Sequence, residues 1–174
     1  MDNDKIPSTL WERCKSAFRA CENRQVDDLL KNIVEIVIEN YSIFETIADT
    51  KFLKFVLQMN INDYVIGTNG DDYKLRLKTF EEQKNLSIDE IWYILSQLIW
   101  DLTVPVTSMI CPFCQCDNVV LLTDNVGEHL YESCENCFGT TEKGIQIMRP
   151  ENLLPCSKEI IKKYNFWSII EKDI

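Results

Sequence analysis

Glycine and histidine are scarce: five glycines and a single histidine, His129, occur in the 174 residues. Loops that cradle a phosphate or a dinucleotide depend on clustered glycine, because only a residue without Cβ lets backbone amides close on the ligand, and no such spacing is present. One histidine excludes an H-E-x-x-H helix, and no nucleophile with a base and an orienting acid can be recognised around it, so His129 is read as a hairpin residue and no catalysis is expected. Long apolar runs are also missing. The segments Ile33 to Ile38 and Ile88 to Ile99 are too short or too interrupted for the roughly 20 residues that a membrane helix needs. The opening Met1-Asp2-Asn3-Asp4-Lys5 has no basic stretch followed by an apolar one, so no secretory signal is expected. The most informative absence is of positive charge. From Asn85 to Glu142, 58 residues carry nine acids and not one Lys or Arg. Nucleic-acid affinity comes from Lys and Arg displacing the counterions condensed on phosphates, so this stretch is not expected to bind it.

What is present is globular. The chain is 45% hydrophobic and 26% charged, with a formal charge of −10. Such a composition can bury a core, and a charge of this sign calls for a basic partner. Eight cysteines in 174 residues are too dilute for a disulfide scaffold, which points to a reducing, cytoplasmic setting. Four of them, Cys111, Cys114, Cys134 and Cys137, form C-x2-C-x19-C-x2-C. A two-residue gap lets one tight turn aim two sulfurs at one metal, and a second pair completes a tetrahedron of thiolates around one structural Zn2+. A closed tetrahedron leaves no open position for water, so the ion is read as structural. With four thiolates and one divalent cation, the module becomes about two units more negative.

The residues between the pairs read as a hairpin. Val119-Val120-Leu121-Leu122 forms one strand, Asp124-Asn125-Val126-Gly127 the turn, and Glu128 to Ser133 the return. Helices are expected before it. Thr9 to Glu12 has capping-box spacing ahead of Leu10, Cys14, Ala17, Phe18 and Cys21; Asp27 and Asp28 open a nearly all-apolar segment; and Ser42 to Glu45 repeats the capping pattern. Asp49 or Thr50 caps a short helix through Met59. Ser87-Ile88-Asp89-Glu90 starts a long one ending before Pro105. Residues 60–86 fit either a hairpin across Gly67 to Asp72 or a helix from Asp71 to Lys84. Ser157 to about Ile170 reads as a terminal helix. The fold class is therefore α+β: a mainly helical domain over 1–106, a zinc-binding hairpin module over 107–149, and a C-terminal helix over 150–174 packing on the body.

The two cysteine pairs, Cys111-Pro112-Phe113-Cys114 and Cys134-Glu135-Asn136-Cys137, resemble the knuckles of the zinc-ribbon superfamily over about 30 residues. Many members have glycine directly after a knuckle, where φ is positive; here Gln115-Cys116 and Phe138-Gly139 follow. Of the other cysteines, Cys116 fits a thiol on the first hairpin strand, Cys14 and Cys21 share a helical face that suits core packing or, less often, a second metal, and Cys156 has no evident partner. Lys74, Arg76, Lys78 and Lys158, Lys162, Lys163 form two basic runs, the ordinary meaning of which is a solvated face. By type, and not by motif, a small acidic chain without catalytic signature is similar to bacterial immunity proteins. That likeness implies a non-enzymatic inhibitor neutralising a basic protein such as a nuclease toxin. The alternative is a transcription-associated, phage or viral regulatory zinc-ribbon protein. For the first reading the candidate partner-binding residues are Asp124, Glu128, Glu132 and Glu135, carboxylates on or near a hairpin that the metal would hold rigid.

Overall fold

The computed structural model describes residues 5–21, 26–67, 72–124 and 126–170, the first and last residues of α1 and the first half of α5 by their backbone alone. The chain is α+β, as its patterning predicts. It divides into two compact units, one of residues 1–61 with 70–102, the other of 62–69 with 103–174.

The first unit contains α1 (Lys5–Cys21), α2 (Val26–Glu39), α3 (Tyr41–Phe44), α4 (Thr50–Gln58), α5 (Asp72–Glu81) and nearly all of α6 (Ile88–Thr103). In α2, Leu29, Leu30, Ile33, Val34, Ile36 and Val37 are buried, while Ile38 turns outward. A segment apolar nearly all round behaves as a central helix. Asp49 caps α4 by accepting from the Lys51 amide at 2.8 Å. The box at the start of α6 is reciprocal. Ser87 N donates to Glu90 Oε2 at 2.8 Å, and Glu90 N donates to Ser87 Oγ at 3.3 Å, which satisfies two amides that the helix leaves over. The similar pattern at Ser42 does not cap: α3 is a single turn whose preceding residue, Asn40, donates its side-chain amide to Ile36 O instead. Residues 60–86 resolve toward the helical alternative, with a short 3-10 turn at Ile61–Asp63 and α5 further on; residues 68–71, at the expected hairpin tip, lie outside the described residues.

The second unit is built on an antiparallel sheet of six strands among the described residues: β1 (Val106–Ile110), β2 (Asn118–Thr123), β3 (Leu130–Cys134), β4 (Thr140–Glu142), β5 (Ile145–Ile147) and β6 (Leu154–Pro155). The order is β1-β2-β3-β4-β5, and β6 also pairs with β2. Strands β2 and β3 are the expected hairpin, in a register from Val119↔Cys134 to Thr123↔Leu130. The other edge of β2 is shared, with Val120 opposite Val106 of β1, and Leu122 opposite Pro155 of β6. Val119 to Thr123 are all buried, so β2 is covered on both faces, which is why it reads as an unbroken apolar run. The β1–β2 register slips between Val106 and Ile110. Thr107, fully buried, repairs the slip: its hydroxyl donates to Val119 O at 2.8 Å and accepts from Met109 N at 3.2 Å.

The C-terminal segment was expected as one helix on the helical body. It forms α7 (Lys158–Lys163), capped by Ser157, and then breaks at Asn165, whose φ is 63°. A 3-10 turn at Trp167–Ile169 follows, and Ile170 pairs with Thr107. Asparagine tolerates this left-handed conformation better than most residues, so it can end a helix that periodicity alone would continue. Cys156, Ile161 and Ile170 lie in one core with Val65, Leu121 and Leu130 of the sheet unit.

Replacing Thr107 by the near-isosteric valine removes one donor and one acceptor from the bulge. Thr107→Val is expected to lower stability by about 1–3 kcal/mol, read as a lower midpoint at unchanged slope in urea unfolding.

Candidate metal centre

The four cysteines selected by spacing converge. Their sulfurs all lie within 4.8 Å of one another. Cys111 Sγ is 3.6 Å from Cys137 Sγ, and Cys114 Sγ is 3.7 Å from Cys134 Sγ, each pair taking one sulfur from each knuckle. Bonds of about 2.3 Å to a tetrahedral zinc would put its sulfurs about 3.8 Å apart, so the cluster has the dimensions of that coordination shell. Cys111 and Cys134 are buried, Cys114 is half-buried and Cys137 exposed. These residues could hold one metal ion.

Backbone geometry explains how thirteen residues in two turns, 111–117 and 134–139, aim four thiols at one point. In the first knuckle Gln115 N donates to Cys111 O at 3.0 Å, and Cys111 N donates to Asp117 O at 2.8 Å. In the second, Phe138 N donates to Cys134 O at 3.0 Å and Cys134 N to Gly139 O at 3.0 Å. The first loop is one residue longer, and the surplus is Cys116. Its thiol donates to Cys114 O at 3.0 Å and stays outside the cluster. The residues with positive φ are Gln115 (56°) and Phe138 (57°), directly after each pair. The turn therefore demands the left-handed conformation that glycine adopts most easily, and this chain meets it with bulkier residues. Gly139 serves a different need. A Cβ there would fall 2.2 Å from Cδ2 of Phe113, so its bare backbone makes room for the aromatic ring of the other knuckle.

Backbone amides also surround the sulfurs. The amide of Cys116, above all, holds the Cys114 thiol down to about 7, while burial pushes Cys134 up to about 12 against the amides of Cys137 and Asn136 that donate to it. Four thiolates this close repel, and a divalent cation removes the repulsion. Arg149 braces the second knuckle, its guanidinium 3.3 Å from Glu135 Oε1 and 5.3 Å from the Phe138 ring centre.

Among the described residues, the other cysteines are not part of this site. Cys14 is buried and its thiol is pushed up to about 12 by burial, which marks an inert core residue; the Cys21 side chain lies outside the described residues. Cys156 is buried with its pKa raised by burial.

The four candidate carboxylates fare differently. Asp124 Oδ1 accepts from Glu128 N at 3.0 Å and its carbonyl accepts from Gly127 N at 3.2 Å, so it builds the hairpin turn. Glu135 is paired with Arg149. Glu132 is half-buried and accepts from Thr141 Oγ1 at 3.1 Å. Glu128 is exposed, and its carbonyl accepts from Tyr164 Oη at 2.7 Å. Of the basic runs, Lys158 donates to Asn62 O at 2.9 Å, Lys162 lies 4.9 Å over Trp167 and Lys163 5.5 Å over Tyr164. Lys78 is exposed, while the side chains of Lys74 and Arg76 lie outside the described residues. His129 Nδ1 lies 2.8 Å from Glu142 Oε1, beside the stacked ring of Tyr131. Sequence reasoning missed this pair because β3 meets β4 only through the second knuckle.

Purified protein is expected to carry one equivalent of divalent metal by elemental analysis. Cys134→Ser/Cys137→Ser should lose it and Cys116→Ser retain it. Chelation should disorder residues 110–140 while leaving most helical circular dichroism, since the helices bury their own apolar faces.

The hydrogen bond to Glu142 raises the His129 pKa, partial desolvation opposes it, and the charges of Glu142, Asp124 and Glu128 add to the rise. A raised folded-state pKa stabilises the fold fully below the unfolded imidazole pKa, and the contribution disappears as pH climbs through the folded one. Proton NMR titration should place the His129 midpoint above that of a free imidazole, and Glu142→Gln should bring it down. No protein family, curated protein or solved structure matches this chain.

Proposed function

We propose that the chain is a non-enzymatic binding protein in which one structural zinc holds an acidic hairpin module ready for a basic protein partner, in the manner of an immunity or inhibitor protein that neutralises a cationic toxin such as a nuclease. The observation that carries this reading is the coincidence of the four-thiol cluster with the stretch 85–142 that has nine acids and no Lys or Arg. All-thiolate tetrahedral donors suit zinc, and four sulfurs on one ion leave no coordination position for a substrate. The ion would supply charge compensation and rigidity. The residues supply recognition. Like-signed charge over a preorganised surface speeds encounter with a cationic partner and lowers the ordering cost of the complex.

Three of the four candidate carboxylates already have partners within the chain. Asp124 and Glu135 are committed to the turn and to Arg149, so reversing them would alter the fold as well as the field. Glu132 is half-buried and bonded to Thr141, so the exposed Glu128 is the one to change.

The test is kinetic, with the protein encoded by the adjacent gene as the first partner assayed. Association is expected to slow by about tenfold or more from low to high salt, and to slow to a smaller extent in Glu128→Lys, whose side chain is exposed, with dissociation changed less. Rates indifferent to both would overturn the acidic-face mechanism. In the same reading a random DNA or RNA duplex does not bind at physiological salt. Submicromolar affinity in a mobility-shift titration would instead favour a transcription-associated zinc-ribbon protein.

A further inference from the structure

Beside the four-thiol cluster, on the sheet face that carries Cys134 and Glu132, lies an open cleft of about 240 Å³. Its walls are Met109 and Ile110 from β1, Pro112 and Phe113 from the first knuckle, and Thr141 from β4. Glu132 of β3 is the one carboxylate in the lining. Ile110 is 59% exposed and Phe113 40%, more than a side chain serving only the core would be. The cleft therefore joins an apolar wall to one oriented negative charge. Thr141 donates to Glu132 Oε2 at 3.1 Å, which fixes the carboxylate plane and leaves Oε1 to accept from an incoming cation.

We infer that this cleft is the anchoring site for the basic partner, taking one bulky apolar side chain against Ile110 and Phe113 and an adjacent Arg or Lys on Glu132. The inference rests on the reading above and places its contact.

Three observations select this occupant. The volume falls below the roughly 300–1,000 Å³ of pockets that enclose a drug-sized molecule, so it suits a side chain or two. No Lys or Arg is in the lining, so Glu132 faces the cleft without a cation of its own wall and favours an occupant that brings one. A second copy of this chain brings −10 of its own and would set acid against acid. An apolar anchor in a pocket with one desolvated charge pair at its edge is the arrangement that concentrates binding energy in a few residues. The metal cluster contributes through rigidity. Cys111 lines the cleft, so the wall that receives the anchor is continuous with the clamped knuckle.

The experiment uses the full 15N-labelled chain and three blocked tetrapeptides at millimolar concentration: Gly-Leu-Arg-Gly, the same with neutral citrulline for Arg, and the same with Ser for Leu. The Leu-Arg peptide is expected to shift the amides of Ile110, Phe113, Glu132 and Thr141. Loss of one charge-assisted hydrogen bond should weaken the citrulline peptide about tenfold, and the Ser peptide should bind less still. Glu132→Gln should bring the Leu-Arg peptide down to the citrulline level, and Ile110→Arg should abolish binding with metal content unchanged. The inference is overturned by equal affinity for Arg and citrulline, by shifts located elsewhere, by no shifts, or by shifts at these residues that grow with protein concentration alone, the sign of a second copy. Partner affinity unchanged in Ile110→Arg, with association still salt-dependent, removes the cleft and leaves the acidic-face reading standing. Salt-independent association with intact peptide binding does the reverse.

Discussion

Four thiols within 4.8 Å of one another form the constraint on which the second unit depends. As thiolates they repel, and as thiols they bury sulfur among amides aimed to receive negative charge. Either state is a poor end to a sheet unless a cation sits among them. The cluster joins the loop between β1 and β2 to the loop between β3 and β4, so it ties together strands whose other contacts are short ladders. A three-residue β4 and β5 could not hold their place by pairing alone.

The hairpin is secured at its other end by covalently remote residues. Tyr164 donates to Glu128 O, and Ile160 packs so close to Gly127 that a Cβ there would lie 3.3 Å from it. Gly127, at φ 70°, meets both demands, a left-handed turn and a close neighbour. The four-cysteine cluster at one end and α7 at the other make β2 and β3 a supported surface, and a surface held in place costs less to order in any complex formed on it. The same support has a consequence for charge. Carboxylates at the tip and knuckles are partly used in holding the backbone, so the acidity of the stretch is a property of its field more than of four free side chains.

Legibility followed the range of the interactions involved. The α+β class, the hairpin, the reciprocal cap at Ser87 and the Cys111, Cys114, Cys134, Cys137 quartet were all readable, because each is specified by neighbours within a few residues or by a spacing that metal chemistry enforces. The Ser42 pattern misled for the converse reason: a capping box has meaning only if a helix of several turns follows, and the chain after Phe44 turns away.

By itself, then, the sequence determined the charge of the 85–142 stretch, the donor set, and which segments have helical or strand period, since these are local or compositional properties. Only the tertiary structure decided that Cys116 lies outside the cluster, that Gly139 makes room for Phe113 while Phe138 takes the left-handed turn, that the C-terminal segment breaks at Asn165 and joins the core of the sheet, and that Glu132 faces an apolar cleft. The cleft and the place of the C-terminal segment depend on strand pairing between residues distant in the chain, and pairing register, which settles the face every side chain occupies, has no signature in any single segment; the left-handed residues and Cys116 depend on backbone conformation that no periodicity reveals.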